Sequence, residues 1–409
     1  MLVHIYRRGD MNRKKFCSLM LLSILSGLAA FYGQKAQQRY DDKKLKILFI
    51  GNSMSQDAVS YVPMILKNVA PELKFKIYDW YSGGYTAKDH VQDWENGKTA
   101  ETLSVADNST QWKNYHSADF LSEKVSNASK RSFSRIPAFF SKKTKNKPSL
   151  NNDNQTVQAA SMQENNLDKW KNYYISGVLF SGLSNLLKTE KFDIIVVQEY
   201  FNTMNGNYTQ EDFKAFKAMI KYVKDNAPYS FYLAELFHPP RRNVNPSSGE
   251  LTMDKIYDFS QKSTKKILKE TDVDSLIPAG IALYDACSTN LKELGDTKML
   301  AADNLHAQEG LPCMIMAYVT TQWILDKMGT NKTILGDKTQ ITSENYPKIK
   351  VPGANFGSGV VEGTEEQYLL AQKLALSAIK KGNELEKSAK KLHQNEKQFM
   401  NIKARVLEK

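Results

Sequence analysis

The stretch from Leu45 to Asp57 constrains the fold of this chain more than any other. Leu45-Lys-Ile-Leu-Phe-Ile50 is an apolar run of strand length, broken only by Lys46, and it stops at Gly51-Asn52-Ser53. A strand buried on both faces of a parallel sheet reads this way. Val59, Val62, Leu66 and Val69 then recur at helical spacing. Ser53 therefore belongs to a tight turn between a first strand and a first helix. In open α/β sheets, ligands bind in the crevice outside the carboxyl ends of the strands, so a hydroxyl held in this turn is a candidate nucleophile.

The rest of the chain repeats the alternation. Leu73–Trp80 reads as a second strand before the turn Ser82-Gly83-Gly84, and Asp89–Glu95 as a helix. A helix through Tyr174, Leu179, Leu183 and Leu187 is expected to lead into the central strand Phe192–Gln198. Helix Phe213–Val223, strand Tyr229–Leu236, helix Leu251–Leu268, strand Ser275–Pro278 and helices Ile281–Leu294 and Leu311–Lys327 follow. Strand–helix alternation of this kind predicts an α/β fold, a doubly wound parallel sheet with helices on both faces.

Two regions break the pattern. Residues 101–166 turn to Ser, Asn, Lys and Gln with little periodicity, and Lys130–Lys147 holds seven basic residues and no acidic one, which is expected of a flexible, solvated insertion. Lys380–Lys409 carries nine Lys/Arg against four Asp/Glu, so a charged tail is expected over 383–409, beyond a domain spanning 41–382.

Residues 16–32 are uncharged and mostly apolar and follow Arg13-Lys14-Lys15, the layout of a signal peptide; residues 1–36 are expected to be a signal peptide or an uncleaved membrane anchor. The formal charge is +12, of which residues 1–36 supply a surplus of five. The remainder suits a protein near anionic envelope surfaces, reached through the anchor or the basic tail. No basic-aromatic recognition motif accompanies it, and no nucleic-acid partner is expected. Export leaves Cys287 and Cys313, too few for a disulfide framework and without zinc-ligand spacing, so no metal site is expected. The spaced glycine and Gly-Lys-Ser/Thr of a phosphate-binding loop are missing at Gly51.

A serine hydroxyl needs an imidazole base, and a carboxylate to hold that base in the right tautomer. Of the six histidines, His4 lies in the leader, His116 in the insertion and His393 in the tail. Among His90, His238 and His306, only His306 sits in Asp303-Asn-Leu-His306, where one short loop presents both groups just before a core helix. Ser53, Asp303 and His306 are the candidate catalytic residues. Asp57 reads as a helix-terminus stabiliser, and His90 as structural. Tyr200, Phe201 and His238 fall at strand ends and are candidate substrate-binding residues on the crevice rim.

A serine turn after strand one combined with a late Asp-x-x-His resembles the SGNH (GDSL-like) hydrolase superfamily. The likeness is greater to a bacterial SGNH-related family of domains without assigned function. It rests on Gly51-Asn-Ser-Met-Ser-Gln-Asp57, the Gly83-Gly84 turn with His90, Val196-Val197-Gln198, Ile277-Pro-Ala-Gly280 and Asp303-x-x-His306. The resemblance implies a three-layer flavodoxin-like fold and an oxyanion hole from the Ser53 N–H, the Gly84 N–H and the Asn202 amide. Asn52 stands where Asp is commoner, and Tyr200 and Thr203 replace the Gly and Asp of the third block. What it implies is an exported serine esterase acting on an acyl ester, with a small-molecule or glycan substrate and no cofactor. A glycan O-acyltransferase using the same residues, or a non-catalytic glycan-binding protein on the same fold, are the alternatives.

Overall fold

The computed structural model describes residues 44–96, 100–115, 173–175, 178–180, 182–198, 209–228, 230, 232–236, 253–289, 306–352 and 359–389. Residues 1–36, expected to be a signal peptide or anchor, most of the expected insertion and the end of the expected tail lie outside them. So do Asp303, Asn202, Tyr200, Phe201 and His238.

The main sheet has seven strands in the order β4-β3-β2-β1-β7-β8-β9. These are β1 (Leu45–Gly51), β2 (Phe75–Tyr81), β3 (Thr102–Asp107), β4 (Lys113–Asn114), β7 (Ile194–Gln198), β8 (Tyr232–Leu236) and β9 (Ser275–Ile277). From β2 to β9 all pairings are parallel, with Ile50 opposite both Trp80 and Val197. The parallel part, β2-β1-β7-β8-β9, has the flavodoxin-like strand order. From β1 the chain first adds β2 on one side and then crosses back to add β7 on the other, so the crevice at the carboxyl end of β1, where Ser53 sits, is the topological switch point.

The helices are α1 (Ser53–Val59), α2 (Val62–Val69), α3 (Ala87–Glu95), α4 (Leu183–Glu190), α5 (Gln210–Asn226), α6 (Met253–Glu270), α7 (Ala279–Ala286), α8 (Leu311–Lys327), α9 (Tyr346–Ile349) and α10 (Glu365–Ser388). Helices α1, α2, α7, α8 and α10 pack together on one face, and α3, α4 and α5 on the other. Helix α6 joins the second layer through Lys266, whose ammonium lies 4.2 Å from the Phe213 ring centre of α5. The central strands are buried on both faces, which is why they read as nearly unbroken apolar runs. Helix α8 is buried from Leu311 to Leu325, so it carries no polar face to set a period.

Four details depart from expectation. The first helix is two, because the chain breaks at Ser60-Tyr61 before Pro63, which enters α2 at its first turn. Tyr173–Ile175 and Val178–Phe180 are not the start of a helix but an antiparallel pair, β5 and β6. Tyr173 buries its ring against Trp80 at 6.0 Å and donates its hydroxyl to Ala100 O. Within the expected insertion, β3 extends the sheet antiparallel to β2, and β4 pairs antiparallel to β3. Finally, α10 runs past the expected boundary at 382 to Ser388. Its Glu386 is buried and accepts from Ser275 Oγ at 2.7 Å and Leu276 N at 2.6 Å, tying the helix to β9.

Candidate active site

The turn after β1 is built by two residues. Gly51 is required because a Cβ there would lie 2.8 Å from both Cβ and Oγ of Ser55. Asn52 is the helix cap: its Oδ1 accepts from Met54 N at 3.0 Å, while its Nδ2 donates to Tyr85 O at 3.0 Å. Its own N–H donates to Gln198 Oε1 at 3.2 Å. Because Asn52 caps α1, the Ser53 hydroxyl is free of that duty. Ser53 Oγ lies 2.6 Å from His306 Nε2, across 253 residues of sequence, with both side chains nearly buried. In the tautomer protonated at Nδ1, Nε2 accepts the serine O–H.

At the end of β2, Gly83 and Gly84 have different roles. The Gly83 N–H donates to Glu101 Oε2 at 2.9 Å. Gly84 has φ +67°, which suits glycine, and its chain neighbours aside, no atom of the described residues lies within 4 Å of where its Cβ would be. Among the described residues its N–H has no hydrogen-bond acceptor, and Ser53, as the first residue of α1, lies where an N–H has no intrahelical partner.

The segment carrying His306 is fixed from several sides. Ala307 N donates to Asp57 Oδ2 at 2.8 Å, and Gly310 N donates to the Tyr61 hydroxyl at 3.2 Å. That hydroxyl donates to Glu309 Oε2 at 3.1 Å. Val361 N donates to Glu309 O at 2.8 Å and Leu311 N to Val361 O at 2.9 Å. Burial pushes both the Tyr61 hydroxyl and the Cys313 thiol well above their ordinary values, so both stay neutral.

Each residue of Ser55-Gln56-Asp57 thus has a task. Ser55 Oγ donates to Asn52 O at 2.7 Å, and Gln56 Nε2 donates to Asp79 Oδ2 of β2 at 2.9 Å. Asp57 is not at the helix terminus, as the sequence suggested, but at the fifth helical position, facing the histidine segment. The available signal was its spacing: Asp57 is four residues from Ser53 and so shares its helix face. His90, with both ring nitrogens unpartnered among the described residues, is packed between Tyr85 and Trp94, and desolvation lowers its pKa to about 4. Among the described residues no group of His, Cys, Asp or Glu is arranged to hold a metal ion.

No protein-family model matches the chain, and no curated protein does. Among solved structures, it resembles a DUF4886 family protein from Bacteroides uniformis, with TM-score 0.52 and 16% identity over 82% of this chain and 95% of that one. That likeness establishes a shared fold. Lesser likenesses are to a candidate SGNH hydrolase from Slackia heliotrinireducens (TM-score 0.33, 13% identity, 69% of this chain and 99% of that one) and a catalytic mutant of an acetylxylan esterase from Geobacillus stearothermophilus (0.35, 13%, 70% and 95%). The chain is an α/β protein with a mostly parallel seven-stranded central sheet and helices on both faces. The resemblance carried by its motifs agrees, at the level of fold alone, with the DUF4886 family protein.

Proposed function

We propose that this protein is a serine hydrolase that cleaves an acyl ester through an acyl-enzyme. The observation that carries the reading is the 2.6 Å contact between Ser53 Oγ and His306 Nε2 at the switch point of the sheet. Helix capping does not explain that contact, since Asn52 already caps α1.

In this reading His306 Nε2 takes the hydroxyl proton as Ser53 Oγ bonds to the acyl carbonyl carbon. The carbonyl oxygen gains negative charge and is met by the N–H groups of Ser53 and Gly84 and by the Asn202 amide. Collapse breaks the bond to the leaving alcohol, which departs with the proton from Nε2. Water then attacks the acyl-serine, again giving its proton to Nε2, and the carboxylic acid leaves as the bond to Oγ breaks and Nε2 returns that proton to Ser53. Asp303 is assigned to Nδ1, holding the tautomer that leaves Nε2 free to accept. The export layout of residues 1–36 supports an acylated carbohydrate or envelope glycan as the substrate, met outside the cytoplasm.

The test is hydrolysis of short-chain aryl acetate and butyrate by residues 37–409, with Ser53→Ala and His306→Ala alongside. Each substitution is expected to reduce kcat by at least about 10³-fold, as loss of a member of such a unit does. Wild-type turnover unaffected by Ser53→Ala would refute the assignment. A fluorophosphonate probe, which needs only the activated serine and not the natural ester, should label wild type at Ser53.

A further inference from the structure

Resting on that reading of the site, we propose that Asp57 is a positioning residue for His306. Ser53 and Asp57 are separated by one helical turn on the same face of α1. The two residues they contact, His306 and Ala307, are consecutive. Ser53 Oγ meets His306 Nε2 at 2.6 Å, and Asp57 Oδ2 accepts from Ala307 N at 2.8 Å. Helix α1 therefore holds the histidine segment at two points, one through the side chain that reacts and one through the backbone of the next residue. Adjacent Cα atoms are 3.8 Å apart, so fixing the Ala307 peptide restricts where the His306 ring can lie.

The surroundings make this tie consequential. Asp57 is 2% exposed, and the Ala307 N–H it accepts is buried with it. Without the carboxylate, that N–H loses its partner away from water, which favours a shift of the segment until another acceptor is found. The far side of the segment is held independently, by Tyr61 on Gly310 and by the Val361 backbone on Glu309 and Leu311. Loss of Asp57 is thus expected to loosen the segment at its histidine end while its helix end stays docked. Ser53 itself is set by the Asn52 cap, which does not involve Asp57. The effect falls on the distance and angle between ring and hydroxyl, not on the position of the nucleophile.

The experiment compares Asp57→Ala with Asp57→Asn, the second keeping a carbonyl oxygen where Oδ2 accepts from Ala307. Displacement of a catalytic group by about 1 Å costs on the order of 10²-fold, and Asp57→Ala should lose kcat by about that factor with KM changed less than about threefold. Asp57→Asn should recover at least about tenfold of the loss if the accepted hydrogen bond is what matters. The fluorophosphonate labelling rate at Ser53 should follow the same order. Equal impairment of the two variants, or labelling of Asp57→Ala at the wild-type rate, overturns the inference while leaving the hydrolase reading intact. Should wild type itself be neither active nor labelled, the hydrolase reading fails. The inference is then decided by the His306 imidazole ¹⁵N–¹H correlations, which need no turnover. They should change in Asp57→Ala and stay near wild type in Asp57→Asn, and unchanged signals in Asp57→Ala would refute it.

Discussion

At the scale of single residues, two buried carboxyl groups store a pH dependence unrelated to catalysis. Desolvation raises Asp79 from its ordinary 3.8 to about 7, with the hydrogen bond from Gln56 only partly offsetting it. Glu235, on β8 beneath α6, is raised from 4.5 to about 8 by the same cause, offset in part by Thr264. The folded protein therefore keeps two protons that the unfolded chain releases above about pH 4.5. Their stabilisation is complete below the unfolded values and is lost as pH rises to about 7 and 8. His90 works in the opposite direction: with its pKa lowered to about 4, stability declines as pH falls from 6.5 toward that value. Asp79→Asn and Glu235→Gln keep shape and remove the titration. Each should be more stable than wild type at pH 8 by roughly 4 kcal/mol, and by much less at pH 4.5, measured by urea unfolding. A wild type that matches both variants at pH 8 would show that these groups ionise freely in the fold.

At the scale of elements, the approach to α8 depends on one glycine. Gly310 has φ +94°, and a Cβ there would lie 2.2 Å from Val361 O. The close approach is what lets Val361 pair with Glu309 and Leu311 and so brace the segment behind His306. Gly310→Ala combines a left-handed backbone with a backbone clash that no rotamer relieves. A cost of about 3 kcal/mol or more is expected, read as a lower unfolding midpoint, together with slower fluorophosphonate labelling of Ser53. Retention of both would mean that the segment moves aside without consequence. The Leu311–Lys327 helix was legible in sequence because its core is unbroken, but nothing local announces that a C-terminal strand-like segment braces its start.

At the scale of the whole molecule, the last helix is part of the domain up to Ser388. A chain ending after Gly382 loses Glu386, leaving the buried Leu276 N–H and Ser275 Oγ without their acceptor. It should be less stable than a chain ending after Ala389 by at least about 2 kcal/mol in the same urea assay. Equal stability would place the domain boundary where charge composition alone put it. The sequence by itself determined the alternation of apolar strands with helices that calls for a parallel sheet, the serine turn and its glycine, and the separation of His306 from the other histidines. Hydrophobic period, turn chemistry and residue type are local properties, and a chain displays them without folding. Only the tertiary structure decided what meets across long separations: Ser53 with His306, Asp57 with Ala307, Gln56 with Asp79 and Glu386 with β9. Those pairings depend on sheet order and helix packing, and no spacing along the chain encodes a contact between residues 253 apart. The β5–β6 pair was misread for the same reason, since apolar residues at helical spacing also suit two short strands once Tyr173 has Trp80 to pack against.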